Sequence, residues 1–168
     1  DAALAYAAST GAVLVHPFDH LDVLLGQGTV GLEIAEQVPD VATVVVAAGG
    51  GGLISGVAAV LKELIPSVRV VGVQAEQAAA WPGSLAAGRP VRLREMSTLA
   101  DGIAVGTPSD LTFAHVSDLV DEIVTVSEDQ LSQAMLLCLE RAKLVVEAAG
   151  VAAVAAIMAR PQTFAPPV

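Results

Sequence analysis

Residues 43–56 read TVVVAAGGGGLISG, and this stretch decides the fold of the chain. Its first part, Thr43 to Ala47, is a β-branched run typical of strands that are buried on both faces of a parallel sheet. Four consecutive glycines follow at 49–52, and the apolar spacing from Leu53 to Leu64 is helical. The stretch therefore predicts a strand, a tight glycine loop and a helix in direct succession.

The glycine run Gly49–Gly52 predicts a binding site for a phosphate group. Residues without a Cβ can adopt positive φ, so that several backbone N–H groups can point at one anion. The N-terminus of the next helix adds partial positive charge, and such a site needs no cation. No Lys or Arg precedes Lys62 in the sequence. A plain strand-to-helix turn needs only one or two glycines, so we favour the phosphate site over that alternative.

Two known phosphate-binding patterns can be compared with this loop. A Walker A loop is excluded because no Gly-Lys-Ser/Thr sequence is present. In the dinucleotide fingerprint, Gly50 and Gly52 would supply the first two glycines, but Ser55 stands in place of the third. Glu76 lies at the end of the next predicted strand, where a ribose-binding carboxylate belongs. A dinucleotide-binding module therefore remains open on these residues alone.

Strand and helix patterns alternate along the rest of the chain, as in βαβ units with a parallel sheet. We predict an open parallel α/β sheet with helices on both faces, and the last helix leads towards a further strand, so the sheet is expected to be incomplete. The predicted strands are 12–15, 43–47, 68–73 and 122–126, and the predicted helices are 1–9, 29–38, 53–64, 78–87, 111–116, 128–146 and 150–159.

The composition excludes several classes of partner. The formal net charge is −10, and a nucleic-acid interface requires clustered cations, so neither nucleic acid nor an anionic membrane surface is an expected partner. No apolar run approaches the roughly 18 residues of a membrane span. Cys138 is the single cysteine, which precludes an internal disulfide and suits a reducing cytoplasm.

Several further segments resemble one known family in order along the chain. Residues 47–56 resemble the tetraglycine loop of fold-type II pyridoxal-phosphate enzymes, the tryptophan synthase β-like group, with threonine dehydratases and serine racemase as the nearest match. The other matching segments are HPFDH at 16–20, GQGT at 26–29 followed by Glu33, ADGIAV at 100–105 and ERAKLVVE at 140–147. One such segment would be a weak signal, but together they cover nearly the whole chain.

The resemblance implies pyridoxal 5′-phosphate as cofactor and a small amino acid as substrate. Gly49, Gly50, Gly51, Gly52 and Leu53 would bind the cofactor phosphate, Gly102 would lie beside the pyridine ring, and Glu147 would lie near the ring and the substrate amine. The implied reaction is the dehydration and deamination of L-threonine or L-serine to a 2-oxo acid and ammonia, as in isoleucine biosynthesis. Serine racemisation is the alternative activity. Members of the family are commonly homo-oligomers.

Two parts of the family pattern do not occur in these residues. The Schiff-base lysine of the family lies in an S-F-K-x-R-G-A segment, and the serine at the pyridine nitrogen lies in S-G-[GA]-N; neither motif is found in residues 1–168. Lys62 and Lys143 lie in helical patterns and are not expected to replace that lysine. We therefore interpret residues 1–168 as most of the cofactor-binding large domain, with 1–11 as the tail of the small domain, and expect this stretch alone to be inactive.

The remaining candidates have mainly structural interpretations. Some family members bind a divalent cation through a Glu, a carbonyl oxygen and an Asp; Glu76 and Ala80 fit that spacing, but Pro82 replaces the Asp, so no metal is expected. His16 and His20 are predicted to make hydrogen bonds within a loop. The other expectations are a surface position for His115, a backbone-shaping role for Asp101, a buried Cys138 and a solvated acidic face at 118–122.

Overall fold

A computed structural model describes residues 2–168. Three strands alternate with helices: β1 is Thr43–Ala47, β2 is Arg69–Ala75 and β3 is Glu122–Val126. The helices are α1 (Ala2–Thr10), α2 (Leu21–Gln37), α3 (Gly52–Leu64), α4 (Ala80–Ala87), α5 (Asp110–Leu119), α6 (Glu128–Leu137) and α7 (Ala152–Ala159). Short 3₁₀ turns occupy Glu76–Ala78 and Asp101–Ile103, and a π-helix occupies Cys138–Ala142. No helix in this range is long and apolar enough to cross a membrane.

The three strands form one parallel sheet in the order β1-β2-β3. Val45 pairs with Val71, and Val73 pairs with Val124, so the strands are aligned in register through the middle of the sheet. Each parallel connection crosses over through helices, as parallel pairing requires. All three carboxyl ends therefore lie at one edge, where open α/β sheets bind their ligands.

Both faces of the sheet are covered, which confirms the predicted architecture. On β2, Val70 and Val71 point to opposite faces and each is fully buried. One face packs against α3 through Ile54 and Leu61, and the other packs against α6 and α7 through residues such as Leu131. The small side chains of α7, which include Ala152, Ala155 and Ala156, let that helix lie close to the strands.

Close packing between α2 and α3 explains the second glycine of the GQGT segment, Gly28. A Cβ on Gly56 of α3 would lie 2.2 Å from the Leu24 carbonyl oxygen, and a Cβ on Gly28 of α2 would lie 3.0 Å from Val60. Only small residues permit this approach of the two backbones. The helix predicted at 29–38 consequently begins earlier, at Leu21, because Gly26 and Gly28 are helical residues and not part of a loop.

Two further predicted elements are wrong in kind or length. Residues 12–15 do not form a strand, because none of the described strands lies beside them; Val13 is 87% exposed and Val15 70% exposed. The helix predicted at 128–146 ends at Leu137 and continues as the π-helix. Cys138 is half-buried at that junction, and not fully buried as predicted.

The acidic segment 118–122 is not simply solvated, because two of its carboxylates form ion pairs. Lys62 donates to Asp121 at 2.7 Å, and Arg69 donates to Glu122. Partial burial acts to raise the pKa of Asp121, but hydrogen bonds from Lys62 and from the Val70 N–H outweigh burial, so the pKa lies below its ordinary value. These pairs join α3 and β2 to the start of β3.

We expect Asp121→Asn to remove a pH-dependent part of the folding free energy. Because the pKa of Asp121 is lowered by folding, its contribution is complete above the unfolded value and is lost as the pH falls through the folded value. The difference in unfolding free energy between wild type and variant should stay below about 1 kcal/mol for this partly exposed pair. Urea unfolding from about pH 7 to about pH 3 should show that difference shrinking below about pH 4. A constant difference would contradict this account.

Candidate functional site

The glycine loop lies at the carboxyl end of β1, where the sheet stops. The Ala48 N–H still donates to the Val73 carbonyl at 2.8 Å, and the chain then turns away from β2. Gly51 has φ 97° and ψ −3° and is the N-cap of α3. Only glycine adopts this left-handed conformation without strain. The turn therefore places the loop directly at the N-terminus of a 13-residue helix.

The backbone N–H groups of this loop are available to a ligand. Within residues 2–168, the N–H groups of Gly50, Gly51, Gly52 and Leu53 donate to no acceptor, whereas the Ser55 N–H already bonds to the Gly51 carbonyl at 3.0 Å. Helix N-termini leave such donors unsatisfied, and the helix dipole adds partial positive charge. The arrangement is complementary to a phosphate and involves no cationic side chain.

Packing around the loop explains why Gly50, Gly51 and Gly52 are glycine. A Cβ on Gly50 would lie 2.3 Å from the Phe18 ring, and a Cβ on Gly52 would lie 2.9 Å from the Phe18 Cα. A Cβ on Gly51 would lie 2.5 Å from the ring of Trp81. Real Cβ atoms do not make contacts this short, so any other residue would displace the loop or its neighbours.

Trp81 supports the glycine loop through a hydrogen bond and through packing of its ring. Its indole Nε1 donates to the Gly49 carbonyl at 2.8 Å, and its own backbone N–H donates to the buried side chain of Gln74 at 2.8 Å. The indole is fully buried and stacks on Phe113 with ring centroids 6.4 Å apart. These contacts fix the position of the loop relative to β2 and α5.

A cavity of about 440 Å³ opens in front of the loop. Gly102 and Glu147 also line it, and a Cβ on Gly102 would lie 3.3 Å from the Glu147 Oε1 atom. Apolar surface from Leu53, Ile103 and Val105 lines the space between, and Pro17, Phe18 and Gln27 complete the cavity wall. The volume is within the range of small-molecule sites.

The cavity has a phosphate-binding loop and an apolar wall, two of the features that pyridoxal phosphate requires. The free N–H groups of the loop suit the phosphate, and the apolar wall with a glycine at its centre suits a flat aromatic ring. Glu147 is the only ionisable side chain among the described lining residues. The chain thus offers N–H donors for a phosphate and one carboxylate acceptor around the same cavity.

All site residues predicted from the sequence line this one cavity. They are Gly49, Gly50, Gly51, Gly52, Leu53, Gly102 and Glu147. Glu147 reaches it for a different reason than expected, because it does not close a helix but follows the irregular residues 143–146. Sequence reasoning missed Phe18, Gln27 and Trp81, although the HPFDH and GQGT segments pointed to the first two.

The other candidates lie elsewhere. Lys62 bonds to Asp121, and the Lys143 ammonium bonds to the Glu140 carbonyl at 2.7 Å; neither lysine lines the cavity. Nδ1 of His16 accepts a hydrogen bond from the Asp19 N–H at 2.8 Å.

Further candidates also have local structural roles. The His20 side chain caps α2, and His115 contacts the Leu111 carbonyl within α5. Glu76 and Ala80 follow β2, and no group of three or more His, Cys, Asp or Glu side chains in residues 2–168 is arranged to hold a metal ion. Asp101 is exposed beside Gly102 and does not line the cavity.

Comparison with known proteins agrees with this site. The family model described as "Pyridoxal-phosphate dependent enzyme" matches residues 1–168. The chain is 52% identical over 158 residues to the L-threonine ammonia-lyase of Thermotoga maritima. The matched stretch covers 94% of this chain and 39% of that protein. It is 44% identical to the catabolic L-threonine dehydratase TdcB of Escherichia coli K12, over 88% of this chain and 45% of that protein.

Solved structures show the same fold. The crystal structure of a threonine deaminase from T.th. superposes with a TM-score of 0.94 at 38% identity, covering 98% of this chain and 57% of that chain. Maize serine racemase superposes with a TM-score of 0.88 at 40% identity, covering 91% and 46% respectively. The chain spans less than half the length of the two curated relatives, from T. maritima and E. coli.

Proposed function

Because the chain belongs to the pyridoxal-phosphate dependent enzyme family, we propose that it forms the cofactor-binding part of an enzyme that dehydrates and deaminates L-threonine or L-serine. The products would be a 2-oxo acid and ammonia. The observation that carries the proposal is the meeting of the glycine loop, Gly102 and Glu147 around one cavity. The relatives named threonine ammonia-lyase and threonine dehydratase, at 44–52% identity, support the choice of reaction. The family match also disfavours the dinucleotide-binding alternative.

In this proposal the loop binds the phosphate of pyridoxal phosphate. The N–H groups of Gly50, Gly51, Gly52 and Leu53 would donate to phosphate oxygens, and the N-terminus of α3 would favour the negative charge. The bound cofactor would act as an electron sink that stabilises negative charge at the substrate's α-carbon. The protein's part is to hold that group in place and to exclude competing orientations.

Gly102 and Glu147 would act at the reacting end of the cavity. Gly102 would let the ring lie close to the backbone. A side chain at this position would also meet Glu147 and Ala149. The Glu147 carboxylate would accept a hydrogen bond from the substrate amine and so orient the α-carbon. An ionised partner makes such a bond stronger than a neutral one.

The lysine that bonds covalently to the cofactor is proposed to lie outside residues 1–168. Lys62 and Lys143 are both engaged away from the cavity, and no S-F-K-x-R-G-A segment occurs in this sequence. We accordingly propose that residues 1–168 are most of the large domain and that 1–11 belong to the small domain. Residues 1–168 by themselves should then not catalyse the reaction.

The full-length protein should convert L-threonine to the corresponding 2-oxo acid with release of ammonia. A coupled assay for the 2-oxo acid, with and without added pyridoxal phosphate, measures this directly. L-Serine in place of L-threonine tests the breadth of the substrate class. Absence of 2-oxo acid from both substrates, in a preparation with bound cofactor, would contradict the dehydratase proposal.

Serine racemisation is the second candidate function. It is favoured by the 42% identity to the serine racemase of Oryza sativa subsp. indica and by the fold of maize serine racemase. Chiral chromatography of the products from L-serine separates the two activities, since only a racemase accumulates D-serine.

Three finer assignments extend this proposal. We propose a cytoplasmic location, which the single cysteine suits, and a homo-oligomer, in keeping with the family resemblance. A role in isoleucine biosynthesis competes with a catabolic role, because the E. coli relative is named catabolic. Inhibition by isoleucine in the assay above would support the biosynthetic role.

A further inference from the structure

The end of α6 has an unusual backbone course just before Glu147. The α-helix Glu128–Leu137 widens into the π-helix Cys138–Ala142 and then stops at Lys143. Lys143 has φ 59° and ψ 30°, and it is the only non-glycine residue with positive φ within residues 2–168. Strained conformations and π-helical turns both occur preferentially near functional sites.

Three hydrogen bonds hold this turn. The N–H groups of Lys143 and Leu144 both donate to the Cys138 carbonyl, the second at 3.1 Å. The Lys143 ammonium donates to the Glu140 carbonyl at 2.7 Å. The lysine thus satisfies carbonyl groups at the end of the helix with both its backbone and its side chain, as helix C-caps do.

The turn determines where Glu147 lies. From Ala142 to Glu147, a continued helix would advance about 7.5 Å at 1.5 Å per residue, whereas an extended chain advances about 16 Å at 3.3 Å per residue. Residues 144–147 have no helical structure; Val146 packs on the core and Glu147 reaches the cavity. A helix that continued past residue 143 would carry Glu147 away from Gly102.

We infer that Lys143 is a positioning residue for Glu147, because its left-handed conformation ends the helix and directs residues 144–147 into the cavity. The inference rests on the proposed function of Glu147 at the substrate amine. Lys143 does not touch the cavity, so it acts only through the carboxylate that it places. A glycine can adopt the same conformation freely, whereas a β-branched residue cannot.

Comparison of Lys143→Val with Lys143→Gly in the protein as its gene encodes it tests this inference. Lys143→Val should lower kcat for L-threonine by about 10- to 100-fold, the scale of a misplaced catalytic group. Lys143→Gly should recover most of that loss, because it restores the backbone conformation while still lacking the ammonium. The affinity for pyridoxal phosphate should change little in either variant, because the glycine loop is separate. Lys143→Ala replaces Lys143→Val if the latter does not fold.

Lys62→Met is the matched control, because it removes a lysine that pairs with Asp121 far from the cavity. It should lower thermal stability without lowering kcat, which separates lost stability from lost positioning. Equal kcat in the valine and glycine variants would overturn the inference, whether both were low or both were normal.

Amide hydrogen exchange gives a readout that does not depend on activity. The amides of residues 143 and 144, which both donate to the Cys138 carbonyl, should exchange at least about tenfold faster in Lys143→Val than in Lys143→Gly, since opening of this turn would be easier. Identical exchange would also overturn the inference. If the wild type bound cofactor but produced no 2-oxo acid, the proposed function would fail while this exchange comparison still tested the role of Lys143.

Discussion

Gly51→Ala should abolish most of the affinity for pyridoxal phosphate. Its φ of 97° is unfavourable for alanine by about 1 to 2 kcal/mol. The new Cβ would also lie 2.5 Å from the Trp81 ring and 3.0 Å from the Thr112 Cβ, and overpacking of this kind costs about 1 to 3 kcal/mol. Trp81 cannot move aside easily, because its indole is fully buried and bonded to Gly49.

The loop is therefore expected to shift, and its N–H groups would no longer converge on the phosphate. We expect the variant to be about 2 to 4 kcal/mol less stable and at least about tenfold weaker in cofactor binding. Urea unfolding should report the loss of stability, and isothermal titration calorimetry with pyridoxal phosphate should report the loss of affinity. Gly83→Ala on α4 is the control, since a Cβ there would meet no atom within 4 Å. Wild-type affinity in Gly51→Ala would contradict a role of this loop in binding.

Glu147→Gln should have the second large effect, on turnover and not on cofactor binding. The substitution keeps the size of the side chain and removes its charge. A charged hydrogen bond contributes about 1.5 to 3 kcal/mol, so kcat/KM for L-threonine should fall by about 10- to 100-fold. The affinity for pyridoxal phosphate should stay within about twofold, because the proposed phosphate donors are backbone N–H groups of residues 50–53 and not the Glu147 side chain.

A matched control for this variant is Glu63→Gln, which removes an exposed carboxylate from α3 away from the cavity. Steady-state kinetics of the two variants and of the wild type show whether the Glu147 carboxylate takes part in the reaction. Unchanged kcat/KM in Glu147→Gln would show that this carboxylate has no part in the reaction. A fall in cofactor affinity as large as the fall in kcat/KM would point instead to a role in holding the cofactor.

Local patterns predicted the elements that form the sheet and the loop. Residues 43–47 and 122–126 are strands with the predicted bounds, and the helix after the glycines begins at Gly52, one residue earlier than expected. These elements follow from β-branched runs and from glycine at the turn, and the start of α6 follows from the Ser127 capping box. All of these signals lie within a few neighbouring residues.

Features that depend on distant contacts could not be read from the sequence in the same way. Trp81 supports Gly49 from 32 positions away, and no local pattern pairs these residues. The start of α2 was missed because Gly26 and Gly28 indicate a loop locally, although Gly28 packs on α3. The change from α-helix to π-helix after Leu137 has no glycine or proline to mark it, and neither has the end of the helix at Lys143.

The central claim is that the loop at 49–52 binds the phosphate of pyridoxal phosphate. The most direct measurement compares the binding of pyridoxal 5′-phosphate with that of pyridoxal, which lacks the phosphate, by isothermal titration calorimetry of the full-length protein. We predict that the phosphate ester binds at least about tenfold more tightly, and that Gly51→Ala removes this difference. Equal affinity for the two compounds in the wild type would contradict the claim.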